Sequence, residues 1–356
     1  MRERIYLIDP GNRARRWSLT YLAGCSDLEM AWTWPGGPDE ASWRMDLPPD
    51  YTHPALRRGR LVEIQHGPEV IWIGHLAEPD AGTEGWSLRA EGPARVGRRR
   101  LCLDGSGNTT MTPNTAVDAA ITRGLPWRRP TSISATPIAP SDSTIALNTL
   151  GDLLDAWADS QGKRWAIATD WSIITAADPT TPSWYMTPGS GSIGLADDEY
   201  ASDLYLRYQD SATGYATVHV GDTAAAARWG TEEEPIDATS RGIMTSGQAA
   251  ALANGILALG KPRLAWAAPV EPASRQITRG ATPPCLPLLG SEIGLGRMIR
   301  LKRVNDPATS NPWTDWVAGR ARYASGSDQI QLAPVQLAAR NLRDAQERLL
   351  ATGSAA

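Results

Sequence analysis

Over residues 1–100, apolar and polar positions alternate in short runs separated by Gly, Pro and Asp, the pattern of half-buried strands joined by turns. Arg4 to Ile8 and Trp17 to Tyr21 are two such runs, broken by the turn sequence DPGN. LVEIQHGPEVIWIGHLAEP, starting at Leu61, carries β-branched runs on either side of HGPE and predicts a hairpin. Val70, Ile71, Trp72 and Ile73 are apolar on both faces, so this strand is expected to be covered on both sides. In WSLRAEG, Trp86, Leu88 and Ala90 alternate with Ser87, Arg89 and Glu91, giving a strand with one wet face. Five or six such strands with Gly/Pro turns predict a small barrel or sandwich.

The pattern changes near residue 104. DGSGNTTMTPN (104–114) reads as a linker, Thr115 to Thr122 as a short helix, and the Pro/Ser/Thr-rich 125–143 as a loop. In LNTLGDLLDAWADSQG, Leu147, Leu150, Leu154 and Trp157 fall on one helical face, and Gly162 is placed to end the helix. RWAIATDWSIITAAD predicts a hairpin turning at Asp170. DLYLRY and YATVHV form another, followed by a turn over 231–241. TSGQAAALANGILALG predicts a helix between an N-cap at Thr245 or Ser246 and Gly260. RLAWAAPV and RQITRG read as strands, and GRMIRLKRV, WTDWVAGRARYAS and DQIQLAPV as a three-stranded meander. A Leu/Arg/Gln/Glu-rich helix from Val335 to Leu350 and a disordered GSAA end complete the pattern.

The expected fold class is therefore mainly β with an α/β insertion (α+β), built as two small β-barrel domains, an α/β insert and a C-terminal helix. The first barrel covers 1–109, which 197–240 could complete. The α/β insertion covers 110–196, a helix plus the second barrel 241–335, and the C-terminal helix and disordered tail 336–356. No period of ~20–50 residues repeats, which excludes a solenoid.

Composition narrows the function classes. At 356 residues the chain is long enough for two or three domains, and no run approaches the ~18–20 apolar residues of a membrane span. The start, MRERIYLIDPGNRARRW, has no apolar core of a signal peptide. Cys25, Cys102 and Cys285 are widely spaced and odd in number, which points to bland thiols in a reducing cytoplasm. A net charge of −4 gives no global basic field for nucleic acid. Local arginine knots (Arg13, Arg15, Arg16; Arg57, Arg58, Arg60; Arg98, Arg99, Arg100) lie near turns and read as solvated loops. The chain has 15 Trp, no Phe, and only Lys163, Lys261 and Lys302 as lysines. Codon usage of a GC-rich genome accounts for this bias, and Trp must then fill the aromatic core roles of Phe.

That bias bears on WTWPGGPDEASWRMDLPPDYTHPALRRGRLVEI (32–64), with three tryptophans and five prolines. Trp32 and Trp34 alternate as in a strand, PGGPDE turns the chain, and Trp43, Met45 and Leu47 return on the buried face. Arg57-Arg58-Gly59-Arg60 then turns the chain into the next strand. Trp32, Trp34, Trp43, Trp72 and Trp86 are accordingly candidates for core or subunit-interface anchors.

Candidate chemistry is sparse. GSGSIG (189–194) fits a dinucleotide-loop spacing but lacks the preceding strand and the following apolar helix. His66 and His75 flank a hairpin without a third ligand nearby, so no metal site is expected. Asp152 and Asp155 share a helical face, while Glu232 to Glu234 and Asp197, Asp198, Glu199 run through polar loops and read as solvated. Asp104 to Asn108 resembles a calcium loop, but Thr115 stands where the closing Glu belongs. No catalytic residue, cofactor or metal is assigned, and the chain is not expected to be an enzyme.

The order of EASWRMDLP, HPALRRGRLVEI, EVIWIGHLAEP and GWSLRAEG resembles the N-terminal half of minor tail proteins of phages infecting GC-rich actinobacteria, which look like the central baseplate hub of tailed phages. DDEYASDLYLRYQD, GIMTSGQAAALANGIL, GRMIRLKRV and WVAGRARYASGSDQIQLAP follow the same order of elements. The resemblance implies a virion protein of the tail tip, made in the host cytoplasm. It implies a homotrimer whose two barrels per chain form a pseudo-sixfold ring joining the sixfold tail tube or distal tail protein to a threefold tip or spike. Implied partners are the tape measure protein and other minor tail proteins, with DNA only in transit through the lumen and no membrane insertion. Arg98, Arg99 and Arg100 could then face the lumen or a partner. Many hubs carry a C-terminal lytic or carbohydrate-binding extension; this sequence stops at Ala356, so such activity is expected in another protein. Two alternatives stay open: another structural tail protein, such as a distal tail-type hexameric ring, or a tail-associated glycan-binding or cell-wall hydrolase protein. Exposure of Trp32 or Trp34 would favour the glycan-binding alternative.

Overall fold

The computed structural model describes residues 3–22, 24–48, 50–77, 79–82, 85–138, 149–187, 193–196, 200–239, 242–259, 263–266, 269–279, 285–304 and 311–335. The chain opens with β1 (Glu3–Ile8), β2 (Arg16–Ser18) and one turn of helix, α1 (Leu19–Leu22). The hairpin of β3 (Cys25–Thr33) and β4 (Gly37–Met45) follows, then that of β5 (Leu61–His66) and β6 (Glu69–Leu76), then β7 (Asp80–Gly82) and β8 (Gly85–Glu91). Helices α2 (Pro93–Gly97), α3 (Pro113–Thr122) and α4 (Leu150–Asp159) lead to β9 (Arg164–Ile167), β10 (Ile173–Ala176) and β11 (Pro182–Met186). Next come β12 (Ile193–Ala196), β13 (Asp203–Gln209), β14 (Tyr215–Gly221), α5 (Thr223–Trp229), β15 (Glu233–Asp237), α6 (Ser246–Leu259) and β16 (Arg263–Trp266). The last elements are β17 (Ile277–Thr278), α7 (Leu286–Ile293), β18 (Arg297–Lys302), β19 (Trp313–Ala324) and β20 (Gln331–Pro334). The fold is mainly β with helical segments, an α+β chain, and it divides into two compact units: 1–191, 269–304 and 313–335, and 192–268, 305–312 and 336–356.

The first unit is built on a 13-stranded sheet in the order β17-β11-β18-β19-β3-β4-β8-β6-β5-β1-β2, with β20 on β19 and β7 on β8. This corrects the expectation of two closed barrels, because the path is open at β17 and at β2. Strands from both expected barrels share the sheet, joined where Glu29–Thr33 of β3 pairs antiparallel with Arg320–Ala324 of β19. Alternation reveals which residues face inward; closure depends on which edges meet, a long-range choice that local pattern does not carry.

The sheet curls strongly between β3 and β6. Two strands lie between them, yet Trp32 on β3 donates its indole N–H to the Ile71 carbonyl at 2.9 Å, and Trp72 on β6 donates to the Ala31 carbonyl at 3.1 Å. Each ring thus finds an acceptor on the other's strand, as a buried indole requires. Helix α7 packs on both strands and is notched for the ring: a Cβ on Gly290 would lie 2.5 Å from Trp32. Ile71, Trp72 and Ile73 are all fully buried, in keeping with the two-sided cover expected for this strand.

The insertion elements pack within the same unit. Leu150, Leu154 and Trp157 of α4 are buried with Val117 of α3, Trp165 and Ile173 of the β9–β10 hairpin, and Ile8, Leu61 and Ile73 of the large sheet. Thr149 caps α4, its hydroxyl accepting from the Asp152 N–H while Asp152 bonds back to the Thr149 backbone. The PGGP turn after Trp34 is also a docking point: Gly36 donates to the Trp165 carbonyl at 3.1 Å and accepts from the Ile167 N–H at 3.1 Å. Gly37 (φ +90°) is pressed against the Ile167 carbonyl, where any side chain would clash.

In the second unit, β14-β13-β15 form one sheet and β12 pairs with β16 in another. Leu204, Leu206 and Tyr208 of β13 are buried against Ala249, Ala253, Ile256 and Leu257 of α6. Helix α6 carries the expected cap, with Gln248 accepting from the Thr245 N–H at 2.9 Å and Thr245 accepting from the Gln248 N–H at 3.3 Å. The strands within 197–240, the segment that could complete the first barrel, pair among the described residues with one another, and Gln209 also bridges to Ile243. The stretch read as a turn over 231–241 contains β15, which lies parallel to β13. Its charged alternation, EEPID, masks a strand with a single buried residue, Ile236. The C-terminal helix expected over 336–350 lies outside the described residues.

Gly290→Val is expected to destabilise the chain by about 1–3 kcal/mol in urea unfolding, since the added carbons must displace a ring held on both sides. Gly105→Ala, where a Cβ meets nothing within 4 Å, is expected to leave stability nearly unchanged.

Candidate assembly site

Among the described residues, no group of three or more His, Cys, Asp or Glu is placed to hold a metal ion. His66 and His75 sit at opposite ends of the β5–β6 hairpin, facing Glu69 and Leu61 respectively. His66 Nδ1 lies 3.2 Å from Glu3 Oε1, and the Ser325 hydroxyl donates to the other Glu3 oxygen. The carboxylate therefore stands between imidazole and hydroxyl, the wrong order for the imidazole to take the serine proton. What the cluster does is tie β1 and β5 to the end of β19 around a carboxylate only 2% exposed.

His75 packs edge-on against Trp171, with ring centroids 5.4 Å apart, and its buried Nε2 has no hydrogen-bond partner among the described residues. Burial, aided by the Arg100 charge, lowers its pKa to about 4, against the smaller opposing effects of a hydrogen bond with the Gly59 backbone and the Glu91 charge. Burial pushes the Cys25 thiol up to about 11 and the Cys102 thiol up to about 12, away from the thiolate form.

The carboxylates singled out in the sequence have structural partners. Asp152 caps α4, and Asp155 takes a two-pronged contact from Arg98 at 2.7 and 3.2 Å plus the Trp165 indole at 2.6 Å. Asp104 folds its loop on itself, accepting from the Ser106 and Asn108 N–H groups, and these bonds hold its carboxyl below the usual range. Most of GSGSIG, and Asp197, Asp198 and Glu199, lie outside the described residues.

Trp32, Trp34, Trp43 and Trp72 are at most 2% exposed, each inside a single chain. Trp34 donates to Asp178 at 3.0 Å, and the carboxylate is shared with Arg164. Trp86 is half-buried and donates to the Pro48 carbonyl at 3.0 Å. Burial of Trp32 and Trp34 removes the exposure that would favour a glycan platform. The basic cluster is partly neutralised: Arg98 pairs with Asp155, Arg99 pairs with Glu91 at 2.7 Å, and Arg100 is exposed.

Two surface features emerge only from the fold. The first brings together the other two arginine knots, since Arg15 and Arg60 both stack over Trp17, with centroid distances of 5.4 and 5.3 Å. The second is the face of β13 turned away from α6. There Tyr205 stacks on His219 at 4.5 Å, His219 Nε2 lies 2.9 Å from Asp203, Arg207 lies over Tyr215, and Glu233 and Asp237 border the row. Alternation in DLYLRY and YATVHV gave the two strands but not their mutual register, which sets these contacts.

No protein-family model matches the sequence, and no curated protein does. Solved structures do. The 43 kDa tail protein of prophage MuSo2 from Shewanella oneidensis aligns over 96% of this chain and 99% of its own, with a TM-score of 0.55 at 11% identity. The prophage tail protein gp18 from Listeria monocytogenes EGD-e aligns over 98% of both chains, with a TM-score of 0.51 at 10% identity. The chain has the fold of prophage tail proteins. At such identities the likeness lies in the path of the chain, and side-chain roles must be argued from this sequence.

The His75 pKa generates a pH prediction. A base whose folded pKa (about 4) lies below its ordinary value (6.5) binds its proton more readily when unfolded. Stability is then fully present above pH 6.5 and falls as pH drops through the window down to 4, by up to about 3 kcal/mol. Urea titrations across this window are expected to show that slope in the wild type and a flatter one in His75→Gln.

Proposed function

We propose that this chain is a structural baseplate or tail-tip hub of a phage tail, assembling as a homotrimer at the junction between a sixfold tube and a threefold tip. The observation that carries the reading is the end-to-end sharing of fold with two prophage tail proteins. The order of sequence elements resembling minor tail proteins supports the hub in particular. In this reading the β17–β19 and β3–β2 halves of the large sheet, joined at β3–β19, provide two sheet surfaces per protomer, six around the ring. The distal tail protein or tail tube lies on one side and the tip or spike and other minor tail proteins on the other. The tape measure protein, and DNA in transit, pass through the middle.

The role is non-enzymatic. Asp152 and Asp155 are committed to a helix cap and to contacts with Arg98 and Trp165, leaving neither free as a general acid in a desolvated cleft. Purified protein is expected to give no clearing in zymograms against host cell walls; clearing abolished by a carboxylate substitution would restore the hydrolase alternative.

Copy number is the decisive measurement. Cryo-EM reconstruction of the intact tail is expected to show three copies at the tip. Six copies in one ring would favour the distal tail-type alternative, and a single copy would refute both.

A further inference from the structure

The arginine-rich surface around Trp17 and the open face of the β14–β13–β15 sheet are chemically complementary. Around Trp17, Arg16 is paired with Glu63 and Arg60 with Asp9, while Arg15, Arg57 and Arg58 are exposed and take part in no ion pair among the described residues. Arg13 and Arg16 also line a mostly polar cleft of about 630 Å³, where Glu63, Glu69 and Asp170 stand beside Val70 and Trp171. The sheet face has the opposite character. It carries Asp203, Glu233 and Asp237 against one arginine, Arg207, and Tyr205 and Tyr215 are 37% and 56% exposed.

We propose that the Trp17 arginine patch of one copy docks on the acidic, tyrosine-bearing β14–β13–β15 face of a second copy. The proposal rests on the trimeric reading above. A cyclic ring needs two different, mutually complementary patches on every protomer, and one chain carries both. Arginine and tyrosine are the side chains enriched at the centres of such contacts. In this docking Glu233 and Asp237 meet Arg57 and Arg58, the arginines left without ion pairs. A second copy is favoured over nucleic acid because the acidic surface would repel a polyanion and the chain carries a net charge of −4.

The test is a charge swap on the full chain, read by analytical ultracentrifugation and, for assembled tips, by copy number. Arg57→Glu with Arg58→Glu, and separately Glu233→Lys with Asp237→Lys, are each expected to weaken self-association ~10-fold or more. All four substitutions together are expected to restore it to within ~3-fold of wild type. Raising ionic strength from about 0.1 M to about 1 M, which shortens screening from about 10 to about 3 Å, is expected to weaken the wild type and the fourfold variant alike. Circular dichroism melts of each variant separate lost docking from lost folding. A trimer indifferent to both reversals, or a fourfold variant that stays dissociated, overturns the docking and leaves the hub reading standing. A six-copy ring that responds to the swap does the reverse, and a wild type monomeric both alone and in tips overturns both. Loss of DNA retention in the arginine variant with unchanged self-association would assign the patch to nucleic acid instead.

Discussion

A tryptophan indole can be buried only if its N–H finds an acceptor, and in this chain that requirement bends a sheet. Trp32 and Trp72 each reach across the curl to a carbonyl on the other's strand, so the two strands are held at a fixed separation by two hydrogen bonds and two large rings. Such a pair is worth more than its apolar area, because losing one ring strands the remaining ring's surroundings as well. Around it the structure gives way to the rings. Gly290 leaves room for Trp32, Gly296 for Trp34, and Gly74 for Trp72 and the neighbouring strand. A chain without phenylalanine has placed its bulk at a few positions and removed side chains opposite them.

Much of this could be read from the sequence. The 61–76 hairpin, the buried face of Trp43 and Met45, the helix ending near Gly162 and the capped helix after Thr245 were visible because each is specified by neighbours in sequence. Helix α7 escaped notice because its buried apolar side chains, among them Leu286, Leu289 and Ile293, span only two turns interrupted by Pro287. Strand β11 escaped because it runs parallel to β18, more than a hundred residues away, and pairs through backbone groups that no pattern advertises. The barrels were over-read for the same reason: a period of two reports a wet and a dry face, and says nothing of where a sheet ends.

The surfaces were the least legible. Three arginine knots look equivalent in sequence, yet the fold gives two arginines of one knot carboxylate partners, and gathers the other two knots on a single indole with one ion pair each. Which charges stay available to a partner depends on register and loop path, so surface function follows from the tertiary structure.

The pairing of β3 with β19 sets a condition on synthesis. Residues 25–33 leave the ribosome well before the strand that covers their edge, which spans 313–324. At ~5–20 residues per second the β3 edge waits roughly 15–60 seconds for its neighbour. During that interval a strand bearing Met30 and Trp32 has half of its hydrogen-bonding partners missing, and the first unit cannot mature domain by domain from its N-terminus. Productive folding of the large sheet therefore waits for β19, and a nascent chain cut anywhere before it would leave an adhesive edge rather than a smaller folded protein.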